Sequence, residues 1–354
     1  MKMITIFSAV SALVLFLTSC GTSENKEEET TFTEGMDTVC TVTGYHTLPD
    51  TDGCFLQEGD KVAVISPSSY PSAEQRDAVM NGLKELGYVP VEGSYTVGDN
   101  RTVDDTAADL KWALEDPEIK AIFCIRGGTA SSEVLDFMGL EPIKENKKPI
   151  IGFSDISTFL SAWAVCGNPS VHATMSGAFT GLSDDCLEVQ KHILQGEIPA
   201  YQCEGNPHNK QGSADGILIG GNLSVIMTVL ATDYDPFEIK EPYILFIEET
   251  NEDMEHIHRY LTVLKHMGVL DKAQGIIFGE WTDVPKECES YNGSSRGGTF
   301  ESIADMIDRQ FLKDIDVPVA FGFPAGHSDI SYPLLFGRTV NLSVSENSYT
   351  LEWN

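Results

Sequence analysis

Positive charge is scarce in this sequence: Lys and Arg number 23 against 54 Asp and Glu, for a net charge of −31. A surface that acidic repels phosphate backbones, which excludes nucleic acid as the expected partner. None of the 8 cysteines is spaced as CxxC, so zinc ribbons and thioredoxin-like redox motifs are excluded too. No GxGxxG follows the first strand-like run, and GGNLS at 220–224 lies in the wrong half to replace it, so a Rossmann nucleotide binder is a weak reading. No repeat period stands out. What is present is 354 residues, 42% hydrophobic and 22% charged, an ordinary globular composition with apolar material for two cores.

The first twenty residues have their own logic. Lys2 gives a short positive start, and Met3 to Leu17 is an apolar run too short for a comfortable membrane span. Leu17-Thr18-Ser19-Cys20 and Gly21 close it with small residues around a cysteine. The pattern predicts a bacterial lipoprotein signal over 1–19, cleavage before Cys20 and lipidation of that residue, with a buried N-terminal helix as the plainer alternative. Residues 22–35 are acidic with little to bury, so 20–57 is expected to be a lipidated cysteine, tether and extension. The expected location is the bacterial cell envelope, a compartment that permits disulfides. Cys40 and Cys54 flank a Gly/Pro/Asp-rich insert and are candidate partners, whereas Cys124 sits in an apolar run and reads as core.

From Lys61 to about Thr180, short apolar runs alternate with amphipathic stretches: KVAVIS, a helix pattern over 73–86, VPVEG, a second helix over 104–114, AIFCIR and KPIIGFS. That alternation predicts a Rossmann-like α/β domain over 58–180, a parallel sheet flanked by helices. Its functional loops belong at the carboxyl ends of the strands. Residues 181–212 are polar and irregular and read as a linker. The remainder, 213–354, reads as a smaller strand-rich domain, with apolar runs at 216–230, 243–249, 275–281 and 317–323 and a closing hairpin. Met254, Ile257, Leu261, Leu264 and Met267 recur at helical spacing between two of those runs.

Gly152-Phe153-Ser154-Asp155 sits where an apolar strand turns into a helix, the setting of a nucleophile elbow, although Ile156 stands where GxSxG has its second glycine. On local sequence alone, a helix cap by Ser154 or Asp155 is the favoured reading. Of eight histidines, His327 differs by standing just beyond an apolar strand, in the small-residue turn PAGHSDISYP. His172 falls in a small-residue loop, and Glu255-x-x-His258 is half of a di-iron motif without its second copy. Glu248 ends the run YILFI, where a buried carboxylate is costly unless paired or at work; Glu249 competes with it, and strand alternation lets only one face a site.

Taken in order, RGG at 126–128, KPIIGFSDIS, GGNLS, ILFIEE, KHMGVL, IIFGEW and FGFPAGH resemble the LD-carboxypeptidase family of serine peptidases, which includes murein tetrapeptide carboxypeptidases and microcin C self-immunity proteins. The resemblance runs from about Lys61 to the end. It implies Ser154 as nucleophile, Glu248 and His327 as its acid and base, an oxyanion hole from the backbone of Gly128 and Asp155, a site at the interface of two domains, and a homodimer. Arg126, beside the glycines, is placed either to bind a substrate carboxylate or to make a structural ion pair. Thr129-Ala130 departs from the RGGYG of many members, which alters the pocket beside the nucleophile. The function so implied is a serine carboxypeptidase, without metal or cofactor, that removes a terminal D-amino acid from an L-centre in murein tetrapeptides. Its partners are then a murein peptide and, through the anchor, a membrane. The alternatives are an amide hydrolase of the microcin C self-immunity kind, which an envelope location fits poorly, and a non-catalytic peptidoglycan-binding lipoprotein.

Overall fold

The computed structural model describes residues 31–34, 38–50, 54–98, 100–180, 184–285 and 300–354. The expected lipoprotein signal and Cys20 lie outside the described residues. Among the described residues, fifteen strands run in chain order: β1 (Thr31–Glu34), β2 (Cys40–Thr47), β3 (Lys61–Ile65), β4 (Val89–Glu92), β5 (Ile119–Cys124), β6 (Ile150–Gly152), β7 (Ser170–His172), β8 (Glu197–Glu204), β9 (Gly212–Asn222), β10 (Tyr243–Thr250), β11 (Gly275–Pro285), β12 (Val319–Phe321), β13 (Leu334–Phe336), β14 (Thr339–Val344) and β15 (Ser348–Trp353). They form two sheets. One has the order β13-β7-β6-β5-β3-β4; the other runs β1-β11-β10-β9-β14-β15-β8-β2, with β12 attached to β11.

In the first sheet β3 to β7 pair in parallel, as the strand-helix alternation predicts. KVAVI and IKAIFC are almost wholly buried, because helices cover both faces of such a sheet. Those helices begin where the sequence caps them. Ser72 with Gln75 and Thr102 with Asp105 each form a reciprocal capping box, starting helices Ala73–Glu85 and Val103–Glu115. In the second sheet β9, β10, β11 and β12 are parallel and the rest antiparallel. Helix Met254–His266 links β10 to β11, capped by Asp253 and burying Met254, Ile257, Leu261 and Leu264 on one face.

The two sheets are not separate lobes. β13, which follows the His327 turn, pairs antiparallel with β7 of the first sheet. Residues 322–333 therefore run from one sheet to the other, and Thr31–Asn354 forms one compact unit.

Three expectations are corrected. Residues 181–212 are not an irregular linker: they hold helix Asp184–Leu194 and β8, an inner strand of the larger sheet. The extension is not only a tether, since β2 pairs with β8 and β1 with β11. Cys40 bonds to Cys203, its direct partner across β2 and β8, and not to Cys54, whose Sγ lies 3.8 Å from the Lys147 carbonyl oxygen. Only alternate positions of β2 are partly covered, so its sequence looks like linker until the partner strand is known.

Candidate active site

The smaller sheet carries Ser154, the expected nucleophile. β6 ends at Gly152, and Ser154 follows with φ of +62°, a left-handed conformation for a residue that has a Cβ. A tight 3₁₀ turn, Ser154–Ile156, then leads into helix Ser157–Val165. This strained strand-to-helix turn is the geometry of a nucleophile elbow. Neighbouring glycines make room for it: a Cβ at Gly127 would lie 2.9 Å from Ser154 Oγ, and one at Gly128, 1.9 Å from Ser69 Oγ. Asp155 does not cap the helix. Its carboxylate accepts from Ser68 Oγ at 2.5 Å and from the Ser131 amide at 3.0 Å, tying the ends of β3 and β5 to the elbow.

The larger sheet carries Glu248, the expected acid, and leads to His327, the expected base. Glu248, near the end of β10, is fully buried, and its Oε2 lies 2.8 Å from His327 Nδ1. Glu249 turns the other way and accepts from Asn222 Nδ2 at 3.0 Å, the Ser224 amide at 2.5 Å and the Thr250 amide at 2.8 Å. Strand alternation is thereby resolved in favour of Glu248 as the partner of His327. The turn bearing His327 is closed at its base, where Ser331 Oγ accepts from the Gly326 amide at 3.1 Å and the Tyr332 amide donates to the Pro324 carbonyl at 2.8 Å. Burial opposes charge on the His327 imidazole, but the Glu248 carboxylate outweighs it and raises the pKa above the ordinary histidine value.

Both sides open on one cleft of about 670 Å³, lined among others by Arg126, Gly127, Gly128, Phe153, Ser154 and His327. The Phe153 ring stands 4.7 Å from that of His327. Among the described residues, Ser154 and His327 face the same cleft without a hydrogen bond between them. Arg126 donates to the Tyr70 carbonyl at 3.0 Å and forms no ion pair among the described residues, leaving its guanidinium edge on the cleft.

Profiles of known families match in two blocks, the LD-carboxypeptidase N-terminal domain over residues 62–173 and the LD-carboxypeptidase C-terminal domain over 215–342. The chain belongs to the LD-carboxypeptidase family. It is a serine-type carboxypeptidase by that membership. A Synechocystis relative that carries a carboxypeptidase name is 30% identical over 81% of this chain and 92% of its own length. The murein tetrapeptide carboxypeptidase of Pseudomonas aeruginosa is 25% identical over 83% of this chain and 96% of its own. Among solved structures, the muramoyltetrapeptide carboxypeptidase of Oxalobacter formigenes superposes with a TM-score of 0.72 at 22% identity, covering 83% of this chain and 98% of that one. At that identity it speaks for the fold alone.

Two residues of the carboxypeptidase site escaped sequence reasoning. His172 is not in a loop: it ends β7 opposite Gly152, fully buried, with neither ring nitrogen hydrogen-bonded. Burial among Phe153, Phe246 and Phe336 lowers its pKa to about 4 and keeps the ring neutral. Glu280, on β11, is 1% exposed and adjoins the His327 turn. The signal for Glu280 was the one that exposed Glu248, an acid closing an apolar strand, here GIIFGE.

Proposed function

We propose that this chain is a serine carboxypeptidase of the cell envelope that removes a terminal D-amino acid from an L-centre in murein tetrapeptides. The observation that carries the reading is the Glu248–His327 bond of 2.8 Å on the same cleft as the strained Ser154. In the proposed reaction His327 Nε2 takes the Ser154 proton as Oγ attacks the carbonyl of the L-centre. The oxyanion is received by the amides of Gly128 and Asp155. Collapse breaks the C–N bond, His327 returns the proton to the leaving D-amino acid, and water releases the acyl group from Ser154 by the same base. Glu248 holds Nδ1–H and so fixes the tautomer that leaves Nε2 as the base. Arg126 is the cation available for the terminal carboxylate.

Two observations support the envelope. The leader ends in Leu17-Thr18-Ser19-Cys20, the pattern of a lipidated cysteine, and the Cys40–Cys203 disulfide suits an oxidising compartment. Lipidation of Cys20 is checked by metabolic labelling with a fatty-acid analogue, which Cys20→Ser must abolish.

The activity test is mass-spectrometric detection of D-alanine released from purified murein tetrapeptide. The wild type is expected to release it with EDTA present, and Ser154→Ala to lose at least about a thousandfold in rate. Folded wild type that releases nothing would remove the murein assignment.

A further inference from the structure

β11 carries a bulge beside the site. Ile247 pairs with Phe278 and Glu249 with Trp281, so Glu248 alone stands opposite two residues, Gly279 and Glu280. Bulges of this kind re-aim a side chain, and here the extra residue brings a second carboxylate to the His327 turn. A Cβ added at Gly326 would lie 3.2 Å from Glu280 Oε2 and 3.4 Å from Glu248 Oε2, so the two acids converge on the residue before His327. The Glu280 amide donates to the Ala325 carbonyl at 3.2 Å, and Ser328 Oγ lies 2.5 Å from Glu280 Oε2.

Hydrogen counting ties the form of Glu280 to the direction of the Ser328 hydroxyl. Ser328 Oγ is also 2.8 Å from the Ile330 carbonyl oxygen, which can only accept. A hydroxyl has one hydrogen. If Ser328 donates to Ile330, Glu280 must be the donor to Ser328, which requires a protonated carboxyl. If Glu280 were ionised, Ser328 would have to abandon Ile330, and two buried carboxylates would face each other across Gly326. We propose that Glu280 works as a neutral carboxylic acid, a positioning residue that donates its proton to Ser328 Oγ and thereby fixes the turn that presents His327 to Ser154. This builds on the triad reading above.

The surroundings favour the neutral form. The titratable side chains that act on Glu280 are Glu248 on β10 and His327 on the turn, and β12 carries none. Burial pushes the Glu280 carboxyl up to about 7, against the pull of its Ser328 hydrogen bonds and with a further push from Glu248. The proton is therefore held in acid and lost as pH rises past that value. Loss turns the Ser328 hydroxyl from Ile330 to the carboxylate and reshapes the turn, so kcat/KM should decline on the alkaline side.

The deciding experiment is carbon-13 NMR of the intact protein labelled at Glu carboxyls, with the Glu280 signal assigned by its absence in Glu280→Gln. A midpoint near 7 is expected; a carboxyl already ionised at pH 5.5 overturns the proposal. Glu280→Ala is expected to lower kcat about tenfold at nearly unchanged KM, as for a misplaced base. Glu280→Gln, a neutral donor of the same shape, should restore most of that loss and flatten the alkaline decline. An alkaline decline that persists in Glu280→Gln also overturns it. Should no variant, nor the wild type, release D-alanine, the murein reading fails, while the carboxyl titration still decides the state of Glu280.

Discussion

Glu248 has one oxygen on His327 and the other without a hydrogen-bond partner, in a fully buried position. An ion so placed is tolerated for its work, because desolvation costs several kcal/mol (~) that a single partner does not return. Glu248→Gln should therefore keep the fold and lower kcat by roughly 10³ to 10⁴-fold, since an amide no longer secures the correct tautomer. The pH dependence has a definite sign. His327 acts as a base only when neutral, and its pKa is raised mainly by Glu248 acting against burial. The acid limb of kcat/KM should fall above the ordinary histidine range and move to lower pH in Glu248→Gln. Gly128 is the other demanding position. Its φ is +153°, and any Cβ would collide with Ser69. Gly128→Ala should lower kcat by about 100-fold through a displaced oxyanion donor, read at unchanged far-ultraviolet circular dichroism.

Individual elements were legible in the sequence to the extent that their burial is one-sided or complete. The apolar runs of β3, β5 and β10 and the four-residue spacing in helix Met254–His266 declare themselves, because such residues have nowhere else to go. The elbow was legible as a location, but its role was not, since local spacing favours a cap. β2 and β8 were not legible, because each alternates buried and open positions amid polar residues, and their identity as strands depends on pairing over more than a hundred residues. The Cys40–Cys203 pairing depends on the same register, which the spacing to Cys54 could not reveal. That bond clasps β2, an edge strand, to the sheet, five strands away from β10. The double variant Cys40→Ser with Cys203→Ser should lose about 2–4 kcal/mol. The change should appear as a fall in Tm with kcat unchanged, and reductant should lower the wild-type Tm to the same value.

On the scale of the molecule, the sequence showed two sheets but not how the chain interlocks them. The return of β13 to β7 joins three residues late in the chain to a strand formed far earlier, and no local pattern encodes it. The consequence is functional: the His327 turn is anchored in both sheets, so Ser154 and His327 are held by one body. The whole molecule also carries a stability balance in its protons. Burial raises the Glu249 and Glu280 carboxyls from 4.5 to about 7, which favours the folded state in acid and removes that advantage as pH rises from about 4.5 to about 7. His172 opposes them, for its fall from 6.5 to about 4 removes stability as pH drops through that interval. Near pH 5.5 the two carboxyls hold protons that the unfolded chain has lost, while His172 lacks one that it holds, so the carboxyls outweigh it and stability should fall as pH rises toward 7. The net charge of −31 adds self-repulsion in the same direction, because it is reached only as histidines lose their protons. Tm should accordingly be higher at pH 5.5 than at pH 8. Molar salt should narrow the gap by screening the surface, while leaving the part due to the buried carboxyls. Glu280→Gln should shrink that residual part, and a gap that salt abolishes completely would show that the buried groups contribute nothing to it.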